Sequence, residues 1–369
     1  MRIYLGAGKS IRTVGRSVFV YAPRMTEPDW TEASAPAALI QALQAHRLLP
    51  VAGLLAERSL LRGDLVKVAE QMTARAAEDE RRRVAIETEV LGAITAAGIE
   101  VLVLKGALLA RTVYPMPEAR IRTDIDLLVP ADSLAGLRAT LRQIGFAPSY
   151  EVHGGPPMTQ AQWVRRGERP LHAVDVHWDL FNLPLLKNRF DFDSLAARSM
   201  ALPGMGPDVR GLSPADALLH ACAHYFGHHG GEFRPDQWLL DMDLLWRAMD
   251  ADTRAEAEAL ARDCGVLSLL GSGLGLAAAR FGTPVAPADL ARFTADGAGE
   301  RSARLIRPVR FARLAMLRSA FDEQGAGARV RHLWRLAFPP ATYMRTKYPE
   351  ARGWMLPWLY VRRVWEGRR

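Results

Sequence analysis

The chain has 369 residues, of which 49% are apolar and 24% charged, and a formal net charge of +8; this is globular composition, of about two domains' length, and excludes a disordered chain. Two cysteines, Cys222 and Cys264, exclude a disulfide scaffold and a cysteine-rich zinc site, and the lack of any charge-free apolar run of about 18 residues excludes a transmembrane helix. The charge is uneven: residues 301–369 hold 16 basic and 4 acidic residues, and residues 1–300 hold 32 and 36.

Residues 1–29 show no periodic pattern and are read as an irregular leader. Gly8-Lys9-Ser10 invites a phosphate-loop reading, but Ile3 stands where that motif needs its first glycine, so the reading fails. No signal-peptide pattern occurs, and a cytoplasmic location is expected. Residues 30–97 form an N-terminal helical region. Leu39, Leu43, Leu48, Leu61, Leu65 and Val68 carry its apolar positions, and residues 73–97 are rich in the helix formers Ala, Glu and Arg.

The pattern changes at Gly98. Residues 99–104 are short, β-branched and almost wholly apolar, which predicts a buried strand. The strand runs into Lys105-Gly106. A short helix is expected over 107–113, broken at Tyr114-Pro115-Met116-Pro117. A second strand is expected over 124–129, a helix over 132–144, and a hairpin of 162–166 with 171–179 around Gly167. Together 98–200 make a mixed core. Helices dominate 201–299, at 214–226, 237–249, 253–264 and 267–280. Ser213 and Pro214 supply the cap and first position of the first of these. Residues 300–369 are a basic segment with ten aromatics.

The chemistry concentrates between residues 101 and 179. Side chains alternate along a strand, so Asp124 and Asp126 share a face. Two neighbouring carboxylates repel unless a cation lies between them, and Mg²⁺ (or Mn²⁺) takes one or two carboxylates plus substrate phosphates. Lys105-Gly106, between strand and helix, offers a point charge and close backbone approach to a phosphate. Asp175, His177 and Asp179 alternate on a later strand, and Asp175 is placed to complete a metal site.

These residues resemble the polymerase-β-type nucleotidyltransferase superfamily. The nearer likeness is to a bacterial nucleotidyltransferase-like family of largely uncharacterised members. It rests on Leu104-Lys105-Gly106-Ala107, Tyr114-Pro115, Arg120 four residues before Asp124, Asp124-Ile125-Asp126-Leu127-Leu128-Val129, and Asp175-Val176-His177-Trp178. The resemblance spans roughly residues 33–246. It implies an α+β fold: a small mixed sheet of polymerase-β-type architecture flanked by N- and C-terminal helical regions. It implies transfer of an NMP group from an NTP, with pyrophosphate released, by two-metal chemistry. On that analogy Asp124, Asp126 and Asp175 are catalytic and hold metal. Lys105, Gly106, Arg120 and Arg122 bind nucleotide phosphates, and His177 and His224 support the site. Ala107 stands where the superfamily usually carries Ser, and 17 residues separate Gly106 from Asp124.

The acceptor has no readable motif and is open between a small molecule, a peptide, a protein and RNA. A non-catalytic nucleotide-binding module and a toxin-like enzyme acting on tRNA are the alternatives. His220, His224 and His228 recur every four residues, but Gly227 ends the helix before the last, so they are read as support for the site rather than a separate metal centre. Asp241 and Asp243 lie two apart on a leucine-rich helix and are read as structural. At 301–369, arginine interleaved with tryptophan and tyrosine fits packing against the body, an RNA or acidic partner, or a membrane interface.

Overall fold

A computed structural model gives the coordinates. It describes Arg47 and residues 64–149, 159–165, 167, 172–227, 234–306, 317–323, 325–339, 341, 344, 348 and 355–366. The leader at 1–29, the Gly8-Lys9-Ser10 stretch and, Arg47 apart, the helical pattern of 30–63 lie outside the described residues.

Helix α1 (Asp64–Ala96) realises the alanine- and glutamate-rich run. Its apolar residues Val90, Leu91 and Ile94 are fully buried. Gly98 turns the chain at φ +70°, a left-handed value that suits glycine. Then follow β1 (Leu102–Leu104) and α2 (Lys105–Thr112) without an intervening loop. Next come β2 (Asp124–Leu128), α3 (Leu134–Gln143) and β3 (Ala147–Pro148). The expected hairpin is β4 (Gln160–Val164) and β5 (Ala173–His177), with Gly167 at φ +89° between them. Helix α4 (Phe192–Arg198) leads to the two-residue strands β6 (Met200–Ala201) and β7 (Arg210–Gly211).

The seven strands form one mixed sheet in the order β3-β4-β5-β2-β1-β7-β6. β2 is central, antiparallel to β1 and parallel to β5. The fold is therefore α+β, with a sheet wider than the sequence pattern marks.

Helices follow: α5 (Pro214–Gly227), α6 (Gln237–Ala248), α7 (Ala251–Asp263), α8 (Leu267–Phe281) and α9 (Pro287–Asp296). The Ser213 hydroxyl accepts from the Asp216 backbone N–H at 3.1 Å and so caps α5. One contiguous apolar core runs from α1 through the sheet to α9. In the C-terminal segment, α10 (Ala326–Ala337) and α11 (Leu356–Glu366) accompany a separate small cluster of Met344, Tyr348 and Leu359. Cys222 and Cys264 are free thiols. Among the described residues no helix is long and apolar enough to cross a membrane.

Candidate active site

The register of β2 against β5 sets Asp126 beside Asp175 and Leu128 beside His177. Alternation then brings Asp124, Asp126, Asp175 and His177 onto one face of the sheet. Ile125, Leu127, Val174 and Val176 fill the core on the other. One ligand atom from each of Asp126, Asp175 and His177 lies within 4.8 Å of the others. His177 Nε2 is 3.1 Å from Asp126 Oδ1. Asp175 Oδ1 is buried and has no hydrogen-bond partner among the described residues. Two carboxylates and an imidazole, with one carboxylate oxygen left without a partner, fit a divalent cation. Asp124 sits two residues earlier on the same strand, half-buried and outside this trio.

Leu104, the last residue of β1, pairs with Asp126. Lys105 therefore emerges at the carboxylates, and its Nζ is 2.7 Å from Asp126 Oδ1. Its backbone lies at φ +45°, a strained conformation for a residue with a side chain. The helix it opens has Leu104 as its cap residue, and a leucine offers no side-chain cap to the first-turn N–H groups.

Burial and charge separate these groups. Burial pushes the Asp126 carboxyl up, but the Lys105 ammonium and the bond to His177 outweigh it and hold it well below the usual range. Burial, then the charge of Asp126, pushes Asp175 up to about 6. Asp124 is raised by burial and by both neighbouring aspartates. His177 is pushed down by burial and by Lys105, which favours the neutral imidazole.

The expected phosphate ligands divide. Lys105 and Arg120 line a small cleft whose wall includes His220, His224, Trp238 and Asp241. Arg120 is buried there, its Nε and Nη2 donating to the two oxygens of Asp241 at 2.7 and 2.8 Å and its Nη1 to the Ile121 carbonyl. Arg122 does not reach the cleft. Its guanidinium is buried against α1, donating to Glu80 at 2.7 and 2.8 Å and to Glu87 at 3.0 and 3.2 Å. Gly106 is buried, and a Cβ there would stand 3.2 Å from the Arg122 Cβ. The glycine thus permits α2 to pack on the Arg122 stem. His224 meets the Trp238 ring edge-on at 4.8 Å between centroids.

Sequence reasoning left out several contributors. Tyr114 donates its hydroxyl to Asp241 at 2.7 Å, so Asp241 anchors a buried trio with Arg120. The available signal was the acid pair Asp241 and Asp243 in an otherwise apolar run from Trp238 to Trp246, which gives a structural role but not the partners Arg120 and Tyr114. Glu80 and Glu87 stand seven residues apart, one helical face, and only the fold shows that Arg122 lies opposite.

A sequence profile of a family described as uncharacterised nucleotidyltransferase matches residues 32–282. No curated protein matches the chain. Similar solved structures include the antibiotic-resistance factor ANT(2'')-Ia in solution, at 15% identity over 49% of this chain and 92% of that one, with a TM-score of 0.36. A crystal structure of ANT(2'')-Ia with adenylyl-2''-tobramycin is also 15% identical, over 49% and 98%, at 0.35. An antigenic nucleotidyltransferase-like protein from Paracoccidioides brasiliensis is 15% identical over 51% and 91%, at 0.30.

Proposed function

We propose, for a chain that belongs to the uncharacterised nucleotidyltransferase family, a metal-dependent transfer of an NMP group from an NTP to a hydroxyl or phosphate of an acceptor, with release of pyrophosphate. The observation that carries the reading is the in-register pair Asp126–Asp175 with His177 beside it and one oxygen of Asp175 left without a partner. Asp126, Asp175 and neutral His177 would hold a divalent cation, Mg²⁺ or Mn²⁺, and Asp124 would join the carboxylates for a second. Such a cation supplies charge neutralisation and alignment at the α-phosphorus. Lys105 and the open N–H groups at the start of α2 would bind the phosphates, with Gly106 setting how closely α2 approaches. Arg120, fixed by Asp241, frames the cleft that receives substrate. The acceptor oxygen attacks the α-phosphorus, its bond to the β-phosphate oxygen breaks, and the electron pair leaves on pyrophosphate. Asp175, one of the carboxylates at the cation, would also take the proton of a hydroxyl acceptor. Most of the rate enhancement comes from positioning and charge.

Protein incubated with α-labelled NTPs, Mg²⁺ or Mn²⁺, and separate RNA, peptide and small-molecule fractions tests this. Label is expected in one fraction together with pyrophosphate, and lost in Asp126→Asn and Asp175→Asn proteins that melt normally. Full transfer by the Asp126→Asn protein would refute the assignment. Label in tRNA would establish the toxin-like alternative, and NTP binding without transfer to any fraction the non-catalytic one.

A further inference from the structure

None of the described residues of the basic C-terminal segment lines the site described above, and their surface is unlike that of the other described residues. Among the described residues, every large apolar side chain that is exposed lies after residue 316. Val330, Trp334 and Phe338 follow one another at four-residue spacing along α10 and its end, a single helical stripe. Trp334 is 63% exposed. The stripe is not turned to a core: the inner side of α10 carries His332, buried and bonded to Glu323 at 2.9 Å. On α11 the inward residue is Leu359, within the small cluster of Met344 and Tyr348, whereas Trp358 and Val361 face outward. The α10 stripe ends where α11 packs on it, with the Tyr360 hydroxyl donating to the Pro339 carbonyl. Trp334 packs on Phe338 at 4.6 Å, and Phe338 meets Tyr360 of α11 at 5.8 Å.

Positive charge borders this patch. Arg331 and Arg335 are exposed one step round α10 from the stripe. The Arg362 guanidinium lies 5.5 Å over the Trp358 ring. The whole segment from residue 301 carries four basic residues for each acidic one. An outward apolar stripe of aromatic and aliphatic residues beside arginines is the chemistry of a helix lying in a membrane interface. Stacking on single-stranded nucleic acid uses aromatic faces and arginine, and would give no reason for exposed Val330 and Val361.

We propose that the α10 face formed by Val330, Trp334 and Phe338 docks on an anionic lipid bilayer, with Arg331 and Arg335 contacting the headgroups and the exposed Trp358 and Val361 of α11 adding to the apolar surface nearby. The inference is independent of the catalytic reading. Co-sedimentation of the full chain with vesicles tests it, comparing phosphatidylcholine alone with phosphatidylcholine containing phosphatidylserine. Binding is expected to the mixed vesicles, at least tenfold weaker to the neutral ones, and reversed by high salt. The double variants Trp334→Ala/Phe338→Ala and Arg331→Glu/Arg335→Glu should each weaken it at least tenfold while melting as the parent does, since all four residues are exposed. Absence of vesicle binding, or binding that ignores lipid charge and both variants, overturns the proposal. So does tight oligouridylate binding that these variants abolish and vesicles do not displace. A dimer in light scattering that Trp334→Ala/Phe338→Ala dissociates also overturns it, by assigning the face to a second copy.

Discussion

Replacing Asp241 with Ala isolates the buried trio at the cleft wall. The substitution leaves the Arg120 guanidinium, its side chain 7% exposed, without a counter-charge, and leaves the Tyr114 hydroxyl without an acceptor. Breaking a buried ion pair from one side costs about 3–5 kcal/mol. For a folded body of this size each kcal/mol lowers Tm by about 2–4 °C, so the fall should be roughly 6–20 °C. Tyr114→Phe removes one hydrogen bond from the same acceptor and should cost only about 1 kcal/mol. The double variant Arg120→Met/Asp241→Leu removes both charges together and should recover most of the loss, because no charge is left buried alone. Differential scanning calorimetry of the four proteins gives the comparison, and NTP titration of the double variant adds a second axis. Because Arg120 spends three of its five N–H donors on the fold and frames the cleft, its replacement should weaken NTP binding less than that of Lys105. A fall in Tm of less than about 2 °C for Asp241→Ala, or a double variant no more stable than the single, refutes the reasoning.

Lys105→Met should weaken NTP binding about tenfold, the loss of one charge-assisted contact of about 1.4 kcal/mol; calorimetric titration showing unchanged affinity would remove Lys105 from the phosphate site. Asp175 has a folded pKa of about 6 against an ordinary value of 3.8, so between these the folded state binds more protons than the unfolded one. Stability of the metal-free protein relative to Asp175→Asn should therefore fall as pH rises from about 4 to 6, by on the order of 3 kcal/mol. Urea denaturation of the two proteins across that range measures the difference, and parallel curves would contradict the assignment. In added Mg²⁺ or Mn²⁺ the parent should gain more Tm than Asp126→Asn; an equal gain would place the cation elsewhere.

Legibility of the fold followed the length and regularity of each signal. The β2 strand, 124–128, and the helices from 214 to 281 were readable because apolar periodicity extends over several residues or turns. β3, β6 and β7 are two residues each, too short to carry any alternation, so the sheet is wider than its sequence pattern. At the site, the face shared by Asp124 and Asp126 follows from strand geometry alone, and Asp175 was singled out by the need of a metal site for a further carboxylate and by the family likeness, whereas the register that sets it beside Asp126 belongs to the fold. The destination of the arginines was not legible. Arg120 and Arg122 stand two residues apart, yet one turns to α6 and the other to α1, and their partners lie 121 and 42 or 35 residues away. Sequence displays a charge but not its counter-charge when the pairing is that remote.

The grip of α1 on Arg122 sets a lower limit to the smallest excisable unit. A fragment beginning at residue 98 would contain every carboxylate of the site and still lack Glu80 and Glu87. Its Arg122 guanidinium, 1% exposed in the whole chain, would have to turn out to solvent and withdraw the stem on which Gly106 rests. The start of α2, and Lys105 with it, would then lose its seat beside Asp126. The N-terminal helix is thus a strut of the Lys105-Gly106 turn, and a fragment that keeps the carboxylate cluster in its present form has to begin before Glu80.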